Sequence, residues 1–207
     1  MNFESLIFDI DGTLWDTRVL IAEGWNLQLR RENLDHLCVT AQGLTPLFGK
    51  VMEEIADILF PSIPCPQRYD LMRRCMETED QYMKQDPCQV GYPRVRETLE
   101  SLSKNHRIFI VSNSQSGYPE LCIEKLGLTP FISGHLCYGD TGTPKGATIR
   151  TLMTRHGITD CIYIGDTQGD YKATVEAGIP FIWASYGFGN PDGYTEKIGS
   201  FEELLKL

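Results

Sequence analysis

The chain has no apolar run near the roughly 20 residues that a membrane-spanning helix needs, so no membrane partner is expected. Positive charge is scarce too: 19 Lys and Arg face 28 Asp and Glu, for a net charge of -9. Without a Lys/Arg stripe, a nucleic-acid backbone is a poor partner. Any phosphate the protein binds must be held by a local device such as a metal, a lysine or backbone amides. Paired cysteine motifs are missing as well. Cys38, Cys65, Cys75, Cys88, Cys122, Cys137 and Cys161 are scattered, odd in number and free of a CxxC pair. That pattern suits reduced thiols in a cytoplasmic protein, most of them small core hydrophobes, better than disulfides or a zinc site. A basic region followed by an apolar segment is absent from the first residues, so no secretory signal is expected. The four histidines, His36, His106, His135 and His156, show no ligand spacing and are read as surface or packing residues.

What is present is an ordinary globular composition, 42% hydrophobic and 23% charged. A chain of 207 residues can build one full core, or a core and a small second module. The texture changes near residues 16 and 90. Residues 17 to 34, 44 to 60 and 68 to 84 carry helical spacing, with a proline-rich break at 61 to 67. Residues 16 to 88 are therefore expected to form an all-helical insert. From Arg94 onward, helices alternate with short continuous apolar strands such as "RIFIVSN" (107–113), "CIYIGD" (161–166) and "PFIWAS" (180–185), with a weaker strand at 131 to 139. Continuous apolar strands suit burial on both faces of a parallel sheet, and the alternation implies a doubly wound, Rossmann-like α/β fold. In such sheets ligands bind at the carboxyl ends of the strands.

The residues at those ends carry chemistry. "LIFDIDGTLWDT" (6–17) closes the first strand with Asp9 and Asp11; Ser112 and Asn113 close the second; Asp166 and Asp170 follow "CIYIG"; Lys145 opens a helix in "GDTGTPKGATI". Carboxylates are poor strand formers and costly to bury unpaired. Four of them on one edge would repel one another unless a cation joined them. Oxygen-rich, sulfur-free ligation suits a hard cation such as Mg²⁺, which takes one or two protein carboxylates with water and phosphate oxygens. The pattern points to a magnesium site that handles a phosphoryl group.

In order and character, "DIDGTLWDT", "IVSNSQ", the Lys145 segment and "YIGDTQGD" resemble the four motifs of the haloacid dehalogenase superfamily, in particular its phosphoglycolate phosphatase-like phosphatases. The resemblance covers nearly the whole chain. It implies a core of residues 1–15 and 89–207 and a helical cap of residues 16–88. It further implies that Asp9 is the nucleophile and Asp11 the general acid and base. Asp9, Asp166 and the carbonyl of Asp11 would hold Mg²⁺, with Asp170 orienting the metal or its water. Ser112 and the amide of Asn113 would bind the phosphoryl oxygens, and Lys145 would neutralise charge. In many relatives the lysine precedes a proline, whereas here the order is Pro144-Lys145-Gly146; Lys172 is the competing candidate, read as a solvated surface charge.

Asp11 discriminates within the superfamily. Dehalogenases lack this second aspartate, so phosphomonoester hydrolysis or phosphosugar mutase chemistry is favoured. The mutases' Arg-x-x-Ser cap pattern is not found, and a phosphatase acting on a small phosphorylated metabolite is expected, as a monomer or homodimer. A silent phosphate-binding protein is the alternative from another class. Trp15, Arg18, Gln42, Lys50 and Gln115 are the candidates for substrate selection, Trp15 because it follows the DGTL turn and could line the pocket. Closure of the cap would exclude water and bring cap side chains onto the leaving group.

Overall fold

The computed structural model describes residues 3–87 and 90–207. The chain divides into two compact units, Met1–Asp16 with Val90–Leu207, and Thr17–Gln89. The expected second boundary of the insert falls on Cys88 and Gln89, which lie outside the described residues.

The first unit is built on six strands: β1 (Ser5–Phe8), β2 (Arg107–Ser112), β3 (Ile132–Cys137), β4 (Cys161–Gly165), β5 (Phe181–Ala184) and β6 (Glu196–Ile198). They form one sheet in the order β3-β2-β1-β4-β5-β6, and every pairing is parallel. Successive side chains on a strand point to opposite faces, and both faces are buried. On one, Ile7, Phe109, Val111, Tyr163 and Phe181 pack with Ile149 and Leu152 of the helix Lys145–His156. On the other, Phe8 meets Phe201 with ring centroids 5.6 Å apart. Burial on both sides explains why the strands read as unbroken apolar runs rather than alternating ones.

Central β1 lies between β2 and β4, with Phe8 opposite both Ile110 and Ile164. That register brings Asp9, Ser112 and Asp166 to one edge of the sheet. Because the chain builds outward through β2 and β3, then crosses back to β4, this edge is also the point where strand order reverses. Ligand sites of doubly wound folds form there.

Just beyond β1 the chain leaves and returns through a narrow neck. Trp15 and Gly91 form an antiparallel bridge, Asp16 N–H donates to Val90 O (2.9 Å) and Tyr92 N–H donates to Leu14 O (3.0 Å).

The second unit is helical, with α-helices Arg18–Arg31, Ala41–Leu44, Met52–Leu59 and Gln67–Gln85. The expected amphipathic run over 44–60 is not one helix. It is interrupted by a 3-10 turn at Thr45–Leu47, where Pro46 lacks an N–H, and by Gly49 at φ +85°. The long first and last helices are joined by polar contacts: Trp25 Nε1 donates to buried Glu79, Thr78 Oγ1 donates to Gln28, and Arg74 grips Glu32 with two bonds of 2.6 and 2.7 Å.

No helix among the described residues is long and apolar enough to cross a membrane. The six described cysteines are all free, and Cys88 lies outside the described residues.

Candidate active site

The site starts where β1 runs out. The backbone after Ile10 folds into a tight turn, with Leu14 N–H donating to Ile10 O (2.8 Å) and Gly12 N–H donating to Trp15 O (2.9 Å). Gly12 sits at φ +81°, a conformation that side chains disfavour. A Cβ there would also collide with the Asp166 carboxylate, and so would one on Gly187. The two glycines thus make room for Asp166 to enter from β4.

Lys145, the first residue of its helix, reaches back to the sheet edge. Its Nζ donates to Asp9 Oδ1 (2.8 Å) and to Asp170 Oδ1 (2.6 Å), and all three side chains are buried. Asp9, Asp166 and Asp170 each offer a carboxylate oxygen within 4.8 Å of the others. Asp170 has a second task. With Thr167 it forms a capping box at the start of the helix Gln168–Ala177, accepting from Thr167 N–H (2.9 Å) while Thr167 Oγ1 accepts from Asp170 N–H (3.1 Å).

Charge in this pocket does not balance. Three carboxylates face one ammonium. Burial, together with the charge of Asp170, pushes Asp9 up to about 7 against the pull of Lys145. Burial, then Asp170 and Asp9, drive Asp166 well above the usual carboxylate range. Burial alone would raise Asp170 as well, but Lys145 and Thr167 outweigh it and hold that carboxyl low. Burial pulls the Lys145 ammonium down, yet its two aspartate partners keep it above its ordinary value.

A hard divalent cation fits these residues. Asp166 Oδ2 accepts from Phe188 N–H (2.6 Å), whereas Asp166 Oδ1 is buried with no hydrogen-bond partner among the described residues. A buried carboxylate oxygen left unpaired is costly. The donor set is all oxygen, and two positive charges would cancel the excess left by three carboxylates and one ammonium.

Asp11 points elsewhere. Its Oδ1 accepts from Trp15 Nε1 (2.9 Å) and from Tyr118 Oη (2.7 Å), and its side chain is outside the three-carboxylate group. Ser112 is buried at the end of β2, and its Oγ accepts from Ser114 N–H (3.2 Å). Asn113 follows it at the same strand end. Trp15 has no exposed surface, and its Nε1 donates to Asp11. Gln115 lies in the loop after β2, where its carbonyl accepts from Cys137 Sγ (3.4 Å). Arg18, Gln42 and Lys50 belong to the helical unit: Arg18 donates to Thr45 (3.0 Å), Gln42 is exposed, and Lys50 pairs with Glu54 at 3.7 Å. Lys172 is exposed.

Three participants were not anticipated from the sequence. Tyr163 donates to Val111 O (2.8 Å) beneath the site, and its ring lies 5.8 Å from the Lys145 ammonium. Tyr118 and the backbone of Phe188 are the others. The strand-end rule could have found Phe188, since "YGFG" follows β5. Tyr118 and Tyr163 carry no such signal.

A parallel doubly wound sheet with these residues at its switch point defines a class, and comparison with known proteins agrees. The model of the haloacid dehalogenase-like hydrolase family matches residues 6–184. The chain belongs to that family. A phosphoglycolate phosphatase of Vibrio parahaemolyticus is 23% identical, the match covering 100% of this chain and 97% of that protein. The pyrophosphatase PpaX of Oceanobacillus iheyensis is 24% identical over 86% of this chain and 82% of its own. Among solved structures, a protein described as a haloacid dehalogenase-like hydrolase from Bacteroides fragilis superposes with a TM-score of 0.85 at 21% identity, covering 98% of this chain and all (100%) of that one. This chain is therefore a member of a hydrolase family whose curated relatives are named phosphatases.

Proposed function

We propose that the protein is a magnesium-dependent phosphatase that hydrolyses a small organic phosphomonoester through an aspartyl-phosphate on Asp9. One observation carries the reading. A buried carboxylate at the end of the central strand is held by an ammonium, beside a buried carboxylate oxygen that has no hydrogen-bond partner among the described residues, while a second aspartate two residues on faces a separate pair of donors.

In this reading an oxygen of Asp9 attacks phosphorus, the bond from phosphorus to the ester oxygen breaks, and Asp11 gives the departing alkoxide its proton. Asp11, now ionised, takes a proton from water, and the resulting hydroxide attacks phosphorus and releases Asp9. Lys145 offsets negative charge on the nucleophile and the phosphoryl group, and Ser112 with the amide of Asn113 binds phosphoryl oxygens. Magnesium, when bound, would supply charge neutralisation at the phosphoryl oxygens. Its holders would be Asp9, Asp166 and the carbonyl of Asp11, with Asp170 orienting the metal or its water. The unit Thr17–Gln89 serves as the cap, and Arg18, Gln42 and Lys50, with Gln115 of the core, select the substrate. The enzyme works in the cytoplasm on a small phosphorylated metabolite. Phosphoglycolate is the first to try, because a relative bears that name.

Release of inorganic phosphate from a panel that includes phosphoglycolate and pyrophosphate tests the proposal, with and without magnesium and with Asp9→Asn as control. Turnover that needs both the metal and Asp9 is expected. Phosphate binding without release, or undiminished turnover by Asp9→Asn, overturns it.

A further inference from the structure

The segment 186–193, "YGFGNPDG", leads from β5 toward β6 and passes over the Asp166 carboxylate. Three glycines in eight residues would leave such a stretch loose, but it is tied at both ends. At the near end Tyr186 Oη donates to Thr13 O (2.9 Å). At the far end Gln168 Nε2 donates to Asp192 Oδ2 (2.8 Å), and Asp192 N–H donates back to Gln168 Oε1 (2.7 Å). Gln168 opens the helix that carries Asp170, so this tie anchors the segment to an element of the site. Between the ties the backbone lies against Asp166. Phe188 N–H donates to Asp166 Oδ2 (2.6 Å). A Cβ on Gly187 would collide with the Asp166 carboxylate and with Gly12 O, and one on Gly189 with Asp166 O and Thr167 Cα. Both glycines serve closeness of approach, since neither has a left-handed backbone.

The last torsion of an aspartate is broad and two-fold, so Asp166 does not itself decide which oxygen faces which way. Its surroundings do. Oδ2 is taken by a short, charge-assisted bond and crowded by the backbone of Gly12 and Gly187. Oδ1 has no hydrogen-bond partner among the described residues. Asp170 differs, because both of its oxygens accept hydrogen bonds: Oδ1 from Lys145 (2.6 Å), Oδ2 from Thr167 N–H (2.9 Å) and Thr167 Oγ1 (2.6 Å).

We propose that residues 186–193 form a strap that holds Asp166 by Oδ2 and leaves Oδ1 as the oxygen offered to a divalent cation, and that the Gln168–Asp192 pair locks this strap. The proposal rests on the reading of Asp166 as a holder of magnesium. Gln168 and Asp192 are positioning residues, remote from the reacting atoms, that act through the strap on Asp166. Without the lock the glycine-rich stretch would lift, and the carboxylate would rotate among orientations of which only some suit the ion.

The test reads metal binding directly. Mg²⁺ is titrated calorimetrically into the native chain, Asp166→Asn, Gly187→Ala, Asp192→Ala and Asp192→Asn, with melts in the absence of metal to verify folding. Partners that orient a metal ligand are worth about 10–100-fold in affinity, and Gly187→Ala is expected to weaken binding on that scale. Asp192→Ala removes one hydrogen bond of the lock and should weaken binding by about two- to tenfold. Asp192→Asn keeps the acceptor oxygen and should bind close to the native value. If Gly187→Ala does not fold, the two Asp192 variants decide. Native affinity in Asp192→Ala, even with a lowered melting temperature, means a merely structural role and overturns the strap while Asp166→Asn still loses binding. Equal losses in Asp192→Ala and Asp192→Asn overturn it as well, because the charge of Asp192 and not its bond would then attract the ion. If Asp166→Asn binds Mg²⁺ as tightly as the native chain, the reading of Asp166 as a metal holder falls and the strap falls with it.

Discussion

The two units hold their carboxylates in different ways. In the helical unit, Glu79 is 1% exposed yet accepts from the Trp25 indole, and Glu32 is gripped by the fork of Arg74. At the sheet edge, three buried carboxylates share one ammonium, and an oxygen of Asp166 has no partner among the described residues. Folding alone gives no reason to keep such an arrangement, because apolar residues of similar volume are often no less stable than buried ion clusters. Carboxylates whose oxygens meet donors within their own unit mark a scaffold. Unmatched charge in the other marks a place that expects something from outside.

That contrast can be broken at the sheet edge first. Asp9→Asn should lower phosphate release by about 10⁴-fold or more, the scale seen when a nucleophile is removed, while circular dichroism stays native. A smaller loss would mean that Asp9 only binds. Magnesium should then raise the melting temperature. At about 100 times its dissociation constant the gain is about 2.7 kcal/mol, or roughly 5–10 °C for a chain of this size. Asp166→Asn should abolish most of that gain, as read by calorimetry with and without the metal. In the helical unit the same ion should do nothing special. There Trp25→Phe is expected to cost about 1–3 kcal/mol by depriving buried Glu79 of a donor, seen in urea unfolding. Arg74→Ala, which removes a partly exposed pair, should cost less than about 1 kcal/mol. A larger cost for Arg74 than for Trp25 would reverse the ranking by burial.

Most of the sheet and of its chemistry is written in local sequence. β1, β2 and β4 are short apolar runs that end abruptly in polar residues, and the register then brings Asp9, Ser112 and Asp166 to one edge. Lys145 could be located because it opens an apolar-patterned helix. β6 was not legible: Glu196–Ile198 is three residues long with only Ile198 buried, too short for any periodicity to register. The break in the 44–60 run lay in Pro46 and Gly49, whose local signals were outweighed by the apolar spacing around them. Tyr118 and Tyr163 look like ordinary core aromatics in sequence. Their hydroxyls acquire meaning only when the fold sets one against Asp11, 107 positions away, and the other beneath Lys145. Pairings of that kind are products of tertiary proximity, and no nearest-neighbour pattern contains them.

The neck beneath Trp15 has an architectural consequence. Because Asp16 and Val90 are hydrogen-bonded to each other, departure and re-entry of the long excursion coincide to within about 5.5 Å, the spacing of such a pair. The sheet therefore meets the same short ladder whatever is attached beyond it. Lengthening the excursion adds only a logarithmic closure penalty, about 0.6 kcal/mol per doubling. One helical module could therefore replace another at this junction without disturbing a single strand.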